Sequence, residues 1–101
     1  MSVKRGSTPV HIFKTSIDLT EAVEIYITYT QAGHTIVEKS LSDCTVTAEQ
    51  IEVRLTQEET LKFDARYSIK IQVRAKYADE TAIVSNIIKT DVGVILKDGV
   101  I

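Results

Sequence analysis

Cys44 is the only cysteine in the chain, so no intrachain disulfide can form. A fold made from these residues must hold without a covalent staple, which fits a reducing compartment. Tryptophan is absent and proline occurs once, as Pro9. Without a cysteine pair and a tryptophan, an antibody-type domain with its inter-sheet disulfide is excluded. So little proline, with four glycines in 101 residues, excludes a linker or a low-complexity chain. No apolar run approaches the ~20 residues of a membrane helix. The first nine residues carry two charges with no apolar segment behind them, which does not read as a signal peptide. Neither sign of charge dominates: 12 basic against 14 acidic residues leave a net charge of -2, which gives no electrostatic case for nucleic acid.

The most informative stretch is 68–77. Ile69, Ile71, Val73, Ala75 and Tyr77 alternate with Lys70, Gln72, Arg74 and Lys76. A period of two puts the apolar side chains on one face of a strand and the polar ones on the other. The same alternation over 23–30 turns Val23, Ile25, Ile27 and Tyr29 one way and Glu24, Tyr26, Thr28 and Thr30 the other. Gly33 supplies the hairpin turn, because glycine accepts a positive φ. Further strands are predicted over 10–17, 35–41, 44–47, 51–55 and 82–92. Thr56 and Glu59 have the spacing of a capping box, so one helical turn is expected between two strands, with Leu61 and Phe63 folding onto the core. About seven short strands with turns every 8–12 residues predict an all-β, antiparallel sandwich of immunoglobulin-like architecture, with a small barrel as the alternative. The chain divides into a flexible arm (1–8), a β-sandwich domain (9–92) and an apolar tail (93–101). Pro9 suits the start of an edge strand, since it cannot donate to a ladder.

Catalytic chemistry finds no support. His11 and His34 lie in no metal-ligand spacing, and no cofactor is implied. Cys44 at a strand start reads as a small core residue. Glu58, Glu59 and Asp64 cluster at the capping turn, where a helix N-terminus favours acids. Lys70, Arg74 and Lys76 read as a solvated basic stripe. Tyr29 and Tyr77 are expected to pack, Tyr67 to hold a loop by its hydroxyl, and Tyr26 to face outward as a partner contact or a sugar platform. Val94, Ile95, Leu96, Val100 and Ile101 make an apolar tail that either packs back or pairs with another chain. Ile87 beside Ile88 predicts a strand covered on both faces.

Lys4-Arg5-Gly6-Ser7-Thr8-Pro9, followed by His11, Phe13 and Ile17-Asp18-Leu19-Thr20, resembles the opening of small β-sandwich proteins of phages and prophages of Gram-positive (Firmicutes) bacteria. Leu55-Thr56-Gln57-Glu58-Glu59-Thr60-Leu61-Lys62-Phe63 is similar to the same proteins. The resemblance covers about residues 4–92 and extends distantly to the N-terminal domain of upper-baseplate proteins. Thr15-Ser16 departs from it, where relatives have a Leu-Pro pair. The resemblance implies a non-enzymatic tail, baseplate or capsid-associated component, made in the bacterial cytoplasm and carried in the virion. Its partners would be other phage structural proteins and copies of itself, with no nucleic acid and no membrane. Gly6 would serve a tight approach and Pro9 an edge strand. A monomeric immunoglobulin-like binding module, with carbohydrate as its ligand, is the alternative.

Overall fold

The computed structural model describes residues 2–101. Among these, nine strands form: β1 (Ser2–Lys4), β2 (Val10–Lys14), β3 (Glu24–Gln31), β4 (His34–Ser40), β5 (Cys44–Val46), β6 (Gln50–Arg54), β7 (Ile69–Lys76), β8 (Ala82–Val84) and β9 (Ile88–Gly93). One five-residue helix, α1 (Gln57–Leu61), joins β6 to the segment before β7. The larger sheet runs β1-β9-β7-β3-β4, with β8 also on β7; the smaller runs β2-β6-β5. The two sheets face each other across one core, an immunoglobulin-like β-sandwich.

Alternation in the sequence explains this layering. β3 turns Ile25, Ile27 and Tyr29 inward, β7 turns in Ile69, Ile71, Val73 and Ala75, and β6 with the residue after it turns in Ile51, Val53 and Leu55; all are buried. Each large side chain buried this way stabilises the fold by roughly 1.5–3 kcal/mol. Antibody-type domains join their sheets by a disulfide packed on a tryptophan. This core holds a group of rings instead. His11 lies 5.7 Å from Tyr29 between centroids, and Tyr29 lies 6.1 Å from Phe63. His11 Nδ1 and the Tyr29 hydroxyl share a buried 2.7 Å hydrogen bond.

The capping box forms as its spacing predicts. Thr56 Oγ1 accepts from the Glu59 amide at 3.1 Å, and Glu59 Oε1 accepts from the Thr56 amide at 2.8 Å. The β3–β4 hairpin closes on Ala32 (φ 49°) and Gly33 (φ 80°), two left-handed residues that match the twist of the strands.

Four expectations are corrected. Residues 1–8 were expected to be a flexible arm, yet Ser2–Lys4 pairs in parallel with β9 and Val3 is 0% exposed. Arg5 then donates to the carbonyls of Leu61 and Phe63, both at 3.0 Å, satisfying groups that the end of α1 leaves open. The last strand is not continuous over 82–92. Its pairing with β7 slips by one residue between Arg74↔Val84 and Ile71↔Ile88. Ser85 causes the break: its amide donates to Val73 O, and its hydroxyl accepts from Val73 N. Ile87 therefore sits exposed in a bulge, not in a doubly covered strand. Val23 lies just ahead of β3 and is exposed, not inward.

Tyr67 does not hold a loop by its hydroxyl. The buried Gln31 does that work instead. Its Nε2 donates to the carbonyls of Asp64 and Tyr67, and its Oε1 accepts from the Asp64 amide. The tyrosine that ties a loop through its hydroxyl is Tyr77, which donates to Asp18 O at 2.7 Å.

Candidate functional site

The smaller sheet is the less complete of the two. β2 has β6 as its one neighbour, so its other side is a free edge. Pro9 O accepts from Leu55 N, and Thr15 N donates to Glu49 O. Backbone groups alternate sides along an antiparallel ladder. The amides and carbonyls of Val10, Ile12 and Lys14 therefore point away from β6, and they have no backbone partner among the described residues. The side chains of Val10 and Ile12 stand exposed beside them, Ile12 by 52%. Pro9 and Lys14 blunt the two ends of this edge, but nothing blunts its middle. Pro9 thus stands where the sequence places it, at the start of an edge strand.

Below the edge, the sandwich is not fully closed. A groove of 430 Å³ runs between β2 and the bulge after β8, with Phe13, Leu19, Val73, Ile83 and Ile88 in its walls. Thr15 Oγ1 lies buried in this wall with no hydrogen-bond partner among the described residues. Lys14, at the end of the edge, also lines this groove. Pro9 marks the edge in the sequence; the groove was not expected. A further signal of the edge is the pair of apolar residues at outward positions, Val10 and Ile12.

The other candidate contacts fall elsewhere. Tyr26 lies on the outer face of the larger sheet, between Ser40 on β4 and Arg74 on β7. It is partly exposed and is not brought near β2. The tail leaves β9 and turns back toward α1. Arg5 pairs with Asp98 at 3.2 Å, and Ile101 N donates to Gln57 Oε1 at 2.9 Å. Ile95 packs at Gly6, where a Cβ would meet its Cδ1 at 3.1 Å. Gly6 (φ 79°) thus gives the tight approach expected of it. Val94, Leu96, Val100 and Ile101 all point out, Leu96 completely. The tail is tied back through polar groups while its apolar side chains stay open.

Burial favours the neutral form of three titratable groups. His11 is buried, its Nε2 has no partner, and burial holds its pKa below the ordinary value. Burial, with Cys44 and Glu59 nearby, pushes the Tyr29 phenol well up. Burial and Asp43 likewise push up the Cys44 thiol, which donates to Ser40 O at 3.2 Å. A thiol so protonated is a poor nucleophile. No cluster that could hold a metal occurs among the described residues.

Glu59 also meets the nearly buried Lys39 of β4 at 2.6 Å. Burial alone would raise this carboxyl. Its bonds to Lys39 and to the Thr56 amide outweigh burial and hold it below its ordinary value of 4.5. Hydrogen bonds from the Arg66 side chain and amide hold Asp64 lower still, at about 2. Both folded values lie below the unfolded ones. Their stabilisation is therefore complete above about pH 4.5 and is lost as pH falls through the folded values. The thermal midpoint, followed by circular dichroism, should already fall as pH drops below about 6.5, because His11 stays neutral in the folded chain but takes up a proton on unfolding, and should drop further toward pH 2 as the carboxylates protonate. In E59Q the part of the drop that begins near pH 4.5 should shrink.

No family model matches this chain. No curated protein matches it. Among solved structures it is similar to the immunoglobulin-like domain of mouse leukocyte-associated immunoglobulin-like receptor 1, crystallised as a strand-swapped dimer. That likeness has 11% identity and a TM-score of 0.47, covering 95% of this chain and 88% of that one. It is also similar to the V domain of amphioxus IgVJ-C2, with 12% identity and a TM-score of 0.39, covering 95% of this chain and 100% of that one.

Proposed function

We propose that this chain is a non-catalytic assembly module that joins a second copy of itself through the free edge of β2. The observation that carries this reading is the run of unpaired backbone groups at Val10, Ile12 and Lys14. That edge is complementary to itself. Two copies related by a two-fold axis through Ile12 would exchange both hydrogen bonds of Ile12, and each Val10 would face a Lys14. The two three-stranded sheets would then run on as one, and the exposed Val10 and Ile12 side chains would gain apolar neighbours. Edge pairing of this kind draws its affinity from main-chain hydrogen bonds.

The biological setting we assign is a phage or prophage particle. That assignment rests on the likeness of the opening motif and of the Leu55 to Phe63 stretch to phage β-sandwich proteins. Mass spectrometry of particles purified from an induced host strain carrying the gene checks it.

Light scattering after size exclusion, across a concentration series, tests the contact itself. The full chain should associate. I12K should be monomeric with an unchanged melt, because a lysine in mid-edge opposes pairing and Ile12 is already half exposed. A chain ending at Gly93 should still associate. A full chain that stays monomeric throughout overturns the proposal, as does association lost on truncation but kept in I12K, which would move the contact to the tail.

A further inference from the structure

Lys70 and Lys89 face each other directly across the β7–β9 ladder. Both side chains point outward from the larger sheet, and neither forms an ion pair among the described residues. Like charges placed opposite on neighbouring strands, with Cβ atoms about 5 Å apart, destabilise a sheet. By contrast, Glu24 on the same face lies opposite Lys76, which also pairs with Glu80 at 3.7 Å. Asp91, the next outward residue of β9, makes no ion pair with either lysine. Among the described residues this is the one place in the larger sheet where two like charges stand directly opposite each other.

It borders a hollow of 350 Å³, within the range of roughly 300–1,000 Å³ usual for small-molecule sites. Thr30, Ser68 and Tyr67 complete its walls, and the Ala32-Gly33 turn forms its rim. The Tyr67 ring is half exposed and carries the Arg66 guanidinium 5.7 Å from its centroid. A bare inorganic anion would occupy only a small part of this space. The remaining walls offer hydroxyl groups and an aromatic face, which match the hydroxyls and the C–H face of a sugar ring. We propose that Lys70 and Lys89, with Thr30, Ser68 and Tyr67 around them, bind a saccharide that bears a carboxylate. The carboxylate lies between the two ammonium groups, and the ring rests against Tyr67. This site is on the opposite sheet from β2, so it does not depend on the edge contact.

The test is an amide-detected NMR titration of the full chain with glucuronate, glucose and inorganic phosphate, run on wild type and on K70Q/K89Q. Glucuronate should give saturable shifts at Thr30, Gly33, Ser68, Lys70 and Lys89, and glucose should give none. The double variant should bind glucuronate at least ~10-fold more weakly, since it loses two charge-assisted hydrogen bonds. Its thermal midpoint should rise by roughly 1–6 °C, because the repulsion is gone. A purely structural pair would move the midpoint down. The absence of saturable shifts with glucuronate, equal shifts in the double variant, or phosphate binding as tightly as glucuronate would each overturn the proposal.

Discussion

Deleting residues 2–5 is expected to cost roughly 3–5 kcal/mol of stability, against the few tenths that losing a disordered arm would cost. The deletion removes Val3, which is fully buried against β9, and the ladder from Ser2 to Lys4. It also removes Arg5, which donates to Leu61 O and Phe63 O. Those carbonyls stand at the end of α1, and α1 is followed at once by the buried Phe63. Loss of the arm should therefore loosen the α1 end of the core as well as the sheet edge. Urea unfolding, with midpoint and slope compared between the two chains, measures it. A change under about 1 kcal/mol would show that β1 adds little to the fold.

Gln31→Leu should be nearly as costly, by roughly 2–4 kcal/mol, although leucine has a similar size and suits a buried site. The side-chain amide of Gln31 serves three backbone groups in the turn ahead of β7. Leucine would leave two carbonyls and one amide without partners in a partly buried place, each at a cost of about 1–3 kcal/mol less what water recovers. Gln31→Glu separates the effects. It keeps the acceptor for the Asp64 amide but sets an oxygen against the two carbonyls, so it should not rescue stability. Chemical denaturation, with hydrogen exchange at Asp64 and Arg66, reads both.

The parts of this fold that could be read from the sequence are those with a short-range cause. Period-two alternation placed Ile25, Ile27, Ile69 and Ile71 inward because a strand has only two faces. The Thr56 and Glu59 spacing located the helical turn, since both halves of a capping box lie within one turn of chain. Gly33 marked its hairpin for the same reason. The features that could not be read depend on distant partners. Val3 is buried only because β9 lies beside it, and nothing near Val3 in the chain carries that information. Ser85 breaks the last strand through bonds to Val73, and Ile87 beside Ile88 then reads as a covered strand when it is a bulge. The polar role assigned to Tyr67 belongs to Gln31, because side-chain reach across the turn decides it. Pro9 marked β2 as an edge strand, because a residue without an amide hydrogen is local chemistry. The groove beside it depends on the bulge after β8 and had no such local sign.

The parallel pairing of Ser2 with Asp91 also has a bearing on time. As the domain emerges from the ribosome, β1 is already made while its partner β9 is the last of the strands still to come. The hairpins of β3 with β4, and later β7 with β8, can close as they appear, because their loops are short. β1 must wait until almost the whole domain has been released. During synthesis at ~5–20 residues per second, the chain therefore carries an unsatisfied leading strand for several seconds. The final closure of the larger sheet by β1 follows the release of every other strand of the domain, and in that interval the growing chain exposes a vacant edge at β9's place as well as the one at β2.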